Sequence, residues 1–298
     1  MPDSNKTGIL RTGMKFWKPL AAIIIWGLSF IATKHVLNEL EPLSIIILRQ
    51  LIGSVFLIII AVKKGSSFNP GIKNLKGIII LSLIAALHLT IQVSGMQYTS
   101  ALNTGWLVGI TPVFMALLGL LFFNEKITLP QSFGIVIAFA GLVVLISKGN
   151  LSSVSFISNK GDFLVLASSF TWGVYSLINK KVSFNYSPLM TILFLFLFMS
   201  LYLAPFTINH KNIEAVINLT LTSWGALLFL GIFCSGIAYV LWAQALNEMS
   251  SSQVGAFLYI EPFVTLIGSW LLLKEEISMV TILGGVTIIA GVIFVNRK

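Results

Sequence analysis

The chain is poor in the residues that carry most enzyme chemistry: one cysteine, three histidines and ten acidic residues in 298 positions. The single thiol, Cys234, excludes an internal disulfide, a redox pair and a cysteine-built metal cluster, and its apolar setting marks it as a packing residue. Asp162 is the only aspartate beyond the amino-terminal tail, and no nucleophile, metal-ligand cluster or phosphate loop stands at recognisable spacing. Neither an enzyme nor a cofactor nor a metal is therefore expected. Charge is scarce as well, at 10% of residues, against roughly 25% in soluble domains. The net charge of +9 includes no basic cluster interleaved with aromatics, so nucleic acid is excluded as a partner and the excess is read as topological.

Apolar residues take the vacated space, at 56% of the chain with a mean hydropathy of +0.95. A helix needs about 20 mostly apolar residues to cross the hydrocarbon core. Ten such stretches are marked near 18-37, 42-62, 77-97, 102-123, 130-147, 161-181, 188-207, 223-245, 253-273 and 278-296. The expectation is an all-α polytopic membrane protein with ten transmembrane helices, short connections, and longer polar links only at 148-160 and 208-222. The first stretch is read as a span rather than a signal peptide, because its Trp26-Gly27 pair recurs internally at Trp172-Gly173.

That recurrence is one of many. Residues 100-148 superpose on 250-298 without a gap, matching at Ser100/Ser250, Gly105/Gly255, Pro112/Pro262, Glu125/Glu275, Gly134/Gly284 and Gly141/Gly291. Residues 26-46 match 172-192 through Trp26/Trp172, Lys34/Lys180 and Pro42/Pro188. Two repeats follow, 1-148 and 149-298, each with five spans. Thirteen Lys and Arg fall on segments that are cytoplasmic if the amino terminus is inside, and five outside, so both termini are placed in the cytoplasm. An odd number of spans per repeat then inverts the second relative to the first. Inverted apolar repeats with matched mid-span prolines are the pattern of an alternating-access carrier whose site lies between the repeats near the bilayer centre.

The candidate site residues are the polar and aromatic groups in mid-span. Pro112 and Pro262 each lack an amide donor and disrupt the bond to the carbonyl of Val108 or Leu258. With Gly105 and Gly255 beside them they make either packed kinks or a gated cavity wall whose freed carbonyls meet solute. Glu261 stands near the midplane, where an unpaired carboxylate costs a few kcal/mol. It can accept a substrate ammonium, hold a coupling proton or pair with a cation; the bland alternative is a hydrogen-bonded structural carboxyl. Arg49 is the only arginine deep in a span and can hold a substrate carboxylate or pair with Glu261. His88 and Gln92 share a helix face, as packing residues or as solute contacts. Trp26, Trp172, Tyr175, Tyr239, Trp242 and Tyr259 either fill space or supply an aromatic wall for an amphipathic solute. Gln244 and Asn247 are weaker candidates. Glu125 and Glu275, beside Lys126 and Lys274, are read as boundary residues that fix helix ends or gate contacts.

Taken in order, Trp26-Gly27, the Arg49 segment, the run from Tyr98 to Pro112 with Asn124-Glu125-Lys126, and its twin from Ser251 through Tyr259-Ile260-Glu261-Pro262 to Glu276 resemble the EamA-type members of the drug/metabolite transporter superfamily. The resemblance covers nearly the whole chain. It implies a ten-helix carrier with a central cavity, and many such proteins are bacterial inner-membrane exporters of amino acids and related metabolites. Two positions break the repeat symmetry: Arg49 matches Leu195, and Glu261 matches Thr111. One carboxylate, one guanidinium and several aromatics suit a zwitterionic or amphipathic metabolite, giving an expected exporter with possible proton coupling, monomeric or weakly oligomeric in the bilayer. An importer or exchanger of the same fold, or a membrane receptor or structural protein, are the alternatives.

Overall fold

A computed structural model describes residues 4–147, 159–183, 186–273 and 279–296, and every regular element among them is helical. The chain begins with α1 (Ser4–Val36), α2 (Pro42–Lys63) and α3 (Gly71–Met96), then α4 (Ala101–Val108) and α5 (Thr111–Phe123), and α6 (Leu129–Ser147). The second half continues with α7 (Lys160–Ser183), α8 (Pro188–Thr207), α9 (His210–Ile217) and α10 (Leu221–Leu228). A wide-turned π segment (Phe229–Ala238) joins α10 to α11 (Tyr239–Glu248), and α12 (Ser251–Ala256), a 3₁₀ turn (Phe257–Ile260), α13 (Glu261–Leu273) and α14 (Met279–Asn296) complete it.

Among the described residues seven stretches are long and apolar enough to cross a membrane: Phe16–Val36, Pro42–Lys63, Gly71–Met96, Ala101–Phe122, Lys160–Val182, Pro188–Thr207 and Leu221–Glu248. Leu129–Val144 and Ile282–Asn296 are shorter apolar helices, and the stretch 251–273 is divided by its 3₁₀ turn. The chain is a multi-pass membrane protein. Pro42 and Pro188, matched in sequence, each open a helix where the missing N–H has no intrahelical acceptor to lose. The matched Ser100 and Ser250 both cap helices, accepting from the amides of Asn103 and Gln253. Asn124 closes α5 in the left-handed region at φ 50°.

The structure corrects the sequence reading at two places. The link 208-222 contains the eight-residue α9 (His210–Ile217), capped by the Asn209 side chain. The breaks at the mid-span prolines lie just ahead of them, so that Pro112 and Pro262 become the second residues of new helices. In the second case the carbonyl of Leu258 accepts the amide of Glu261, so the tightened turn recaptures a group expected to be free.

Glycine contacts explain how the halves meet. A Cβ built on Gly134 would lie 2.7 Å from the Gly291 carbonyl, and one on Gly141 would lie 2.9 Å from that of Gly284, so α6 and α14 run antiparallel with backbones touching. A Cβ on Gly105 would meet Thr265 Oγ1 at 3.1 Å, and one on Gly255 would meet Met115 Sδ at 3.1 Å. Positions 105 and 255, like 115 and 265, are repeat partners, so the two broken stretches cross through one contact made twice. Gly27 and Gly173 behave the same way: the first is closed off by Val264, the second faces Phe114, the repeat partner of 264.

The two ends of the bundle are defined by polar ties. At one end Lys34 donates to the carbonyls of Met96 (2.7 Å) and Thr99 (2.8 Å). Buried Asp162 accepts there from Thr99 and Asn103, and Glu39 from Thr220 and Ser223. At the other end Lys180 meets Glu125, Lys18 meets Glu248, and the Tyr186 hydroxyl donates to the Ser67 carbonyl. The matched lysines 34 and 180 therefore stand at opposite ends.

Candidate functional site

A small cavity of about 40 Å³ lies where α1, α2, α3, α4, α5 and α7 face α11 and α13. Its walls are Trp26, Ser29 and Phe30 from α1, Arg49 from α2, and His88, Leu89 and Gln92 from α3. Val108, Thr111, Ser169, Trp172, Tyr239, Leu258 and Glu261 close it. Seven residues anticipated from sequence thus line one space: Trp26, Arg49, His88, Gln92, Trp172, Tyr239 and Glu261.

Arg49, only 4% exposed, donates through Nε to Ser235 Oγ at 3.0 Å. Ser235 sits in the π segment, which packs against α2 so closely that Gly53 has the Gly231 carbonyl and Ser235 Cβ as neighbours. The wide turns thereby fix the guanidinium on one wall. Glu261, 3% exposed, occupies the first position of α13, beside which Gly27 lets α1 come close. Among the described residues no ion pair joins Arg49 to Glu261. Glu261 Oε2, Thr111 Oγ1 and Trp172 Nε1 are buried without a hydrogen-bond partner among the described residues. Buried polar atoms are usually satisfied, so three orphans on one cavity wall mark groups for a solute or water to engage.

The aromatic residues form one contiguous body. Trp26 stands edge-on to Trp172 at 5.0 Å and to Tyr239 at 5.4 Å, Trp172 stacks on Tyr175 at 4.8 Å, and Trp242 lies 5.4 Å from Trp26. Such edge and stacked arrangements suit the ring quadrupoles. Trp26 Nε1 donates to the Cys234 carbonyl and Trp242 Nε1 to Ser176. His88 packs on Trp172 at 4.9 Å, and its Nδ1 lies 3.0 Å from the Ser168 carbonyl, which can only accept, so that nitrogen carries a proton.

Three anticipated residues do not reach the cavity. Tyr175 and Trp242 form a second layer behind Trp172 and Trp26, and Tyr259 is fully buried elsewhere, its hydroxyl without a partner. Gly105, Gly255, Pro112 and Pro262 shape the crossing beside the cavity without lining it. Sequence reading missed Ser29, Thr111 and Ser169. Ser29 and Ser169 gave little signal, because each hydroxyl bonds backbone carbonyls as serines in apolar helices commonly do. Thr111 was visible only as the repeat partner of Glu261.

Glu125 is more than a boundary residue. Its carboxylate receives Lys180 Nζ at 2.6 Å, the Ser251 amide at 3.0 Å and the Ser251 hydroxyl at 2.9 Å. Burial acts to raise its pKa, but the Lys180 bond and charge, with the two bonds from Ser251, outweigh this and hold it below the ordinary carboxylate value. Its partner is Lys180, not the adjacent Lys126. Glu275, Lys274 and Glu276 lie outside the described residues. Among the described residues no group of three or more His, Cys, Asp or Glu is gathered as a metal site.

A protein of Archaeoglobus fulgidus named an uncharacterized transporter is 31% identical over 278 residues, covering 93% of this chain and 95% of its own. YyaM of Bacillus subtilis, also named an uncharacterized transporter, is 25% identical, covering 91% and 89%. One solved structure superposes with a TM-score of 0.77 over 95% of this chain and 96% of its own at 17% identity, a likeness of fold. The model of the EamA-like transporter family matches residues 16–147 and again 159–297. With both matches spanning nearly all of the helical bundle, the chain belongs to the EamA-like transporter family, within the drug/metabolite transporter superfamily.

Proposed function

We propose that the protein is a secondary carrier that exports a small amphipathic metabolite, an amino acid or a close relative, by alternating access. In this reading ten helices cross the inner membrane as two inverted five-helix repeats, 1–148 and 149–298, with both termini in the cytoplasm. The antiparallel α6–α14 seam, the doubled Gly105 and Gly255 contacts and the opposite placement of Lys34 and Lys180 support the inversion. The bias of Lys and Arg supports the orientation.

One observation carries the substrate class: two buried groups of opposite charge type, Arg49 and Glu261, line one cavity without pairing. A guanidinium is a strong carboxylate ligand and a carboxyl accepts an ammonium, so a zwitterion joins both. Trp26, Trp172 and Tyr239 offer ring faces to its apolar part. His88 and Gln92 add polar contacts from α3. Tyr175 and Trp242 brace those rings, and the glycines and prolines at the α4–α5 and α12–α13 breaks let the walls move. The test is uptake of labelled amino acids into vesicles containing the wild type, Arg49→Leu or Glu261→Gln. Each variant is expected to lose uptake while retaining the wild-type thermal unfolding profile; undiminished uptake by folded variants removes both residues from the site. An imposed pH difference then separates proton-coupled export, which responds to it, from exchange, which requires solute on the far side.

A further inference from the structure

We propose that two ion pairs, Glu125–Lys180 and Lys18–Glu248, form the latch that holds the Lys180 end of the carrier shut, and that each transport cycle must part them. The inference rests on the alternating-access reading above and adds where the moving contact lies. Both pairs join the two halves of the sequence, the link after α5 to α7 and α1 to α11. The Glu125–Lys180 pair is partly buried, with side chains 13% and 28% exposed, and the Lys18–Glu248 pair is more open, at 17% and 34%. Ser251, at the start of α12, adds two further bonds to Glu125, so three segments converge on that carboxylate.

The opposite end is built differently. Lys34, the repeat partner of Lys180, reaches only carbonyls at the junction of α3 and α4, within its own half. Across the halves, Asp162 accepts there from Thr99 and Asn103, and Glu39 from Thr220 and Ser223. The Lys211–Glu41 ion pair that crosses the halves at that end has side chains 80% and 53% exposed, a setting in which such pairs contribute little.

The cavity is displaced accordingly. Gln92 lies about one helical turn from the end of α3 and Arg49 about two turns from the start of α2, both counted from the Lys34 end. Towards the Lys180 end Tyr175, stacked on Trp172, and Trp242, tilted against it, fill the space behind the cavity wall. A solute leaving that way must separate the rings and the ion pairs above them. Ion pairs suit a part that opens repeatedly, because charges released at a membrane surface are taken up by water and re-form without chemical change.

The test is a cysteine reporter in the full chain in proteoliposomes. Ser252, 4% exposed and next to Ser251, is replaced by Cys; native Cys234 is fully buried. Labelling by a membrane-impermeant maleimide is followed from each side. Lys180→Gln and Lys18→Gln, singly and together, are expected to speed labelling at least tenfold from the Lys180 side. The exchanged pairs Glu125→Lys with Lys180→Glu, and Lys18→Glu with Glu248→Lys, are expected to restore slow labelling. Raised salt is expected to speed labelling of the reporter protein with both latches intact. Unchanged labelling in the double Lys→Gln variant, or failure of both exchanged pairs to restore protection, overturns the proposal. Labelling needs no solute, so a protein that moves none defeats the carrier reading while the latch is still judged.

Discussion

The stretches 101–123 and 251–273 are two versions of one device. Each begins at a serine cap, breaks just before a proline, and presses a glycine against the other: Gly105 on Thr265, Gly255 on Met115. They differ where chemistry enters. At the residue before the proline the first has Thr111 and the second Glu261, and both line the cavity. The breaks also differ, the second being drawn into a 3₁₀ turn that returns the Leu258 carbonyl to the Glu261 amide. What the copies share is scaffold, and what they do not share is the side chain each brings to the cavity.

Substitutions at the unshared position should have the largest effect. Glu261→Gln is expected to slow transport by roughly ten- to a hundredfold, since a hydrogen bond to a charged group is worth about 1.5–3 kcal/mol. Thr111→Val should cost only a few-fold, and initial rates in vesicles compare the two; equal losses would mean the copies are not specialised. At the shared position the effects should match. Gly105→Leu and Gly255→Leu are each expected to destabilise by about 1–3 kcal/mol through overpacking, read as paired drops in thermal unfolding midpoint in detergent; a clear difference breaks the equivalence. Thr265→Val removes the hydroxyl that donates to the Gly27 carbonyl at 2.9 Å and is expected to cost about 1 kcal/mol. Met115→Leu at the partner position should cost less, as it removes no hydrogen bond.

The smallest effect concerns pH. Glu125 is held below its ordinary value of 4.5, so the stability it adds is present above that value and is lost as pH falls through the lowered one. The gap in thermal midpoint between wild type and Lys180→Gln should stay constant from neutral pH down to that range and close below it. A gap already closing at pH 6 contradicts the ion pair.

Much of the helical plan was legible because lipid demands long apolar runs, and α2, α8 and the paired stretches begin or break within a few residues of where proline and serine place them. The eight-residue α9 was not, being too short and polar to stand out from a link. Nor was the π segment, whose composition is that of any apolar helix; only packing against Arg49 and Gly53 reveals it. Glu261 and Arg49 stood out in sequence because charge is expensive in lipid, yet sequence alone did not say whether they pair. Glu125 reads in sequence as fixing a helix end or gating a contact, with no partner but its neighbour Lys126, because Lys180 is 55 positions away and local spacing carries no trace of such a contact.

The seam between α6 and α14 has a consequence for motion. Gly134 and Gly141 lie against the backbone of α14, where the nearest side chains closing on them are the β-branched Val295 and Ile288, which have little rotamer freedom. A joint of that kind favours hinging over sliding. In the proposed carrier cycle a swing of one half against the other would turn about this pair, with the greatest travel at the helices farthest from it.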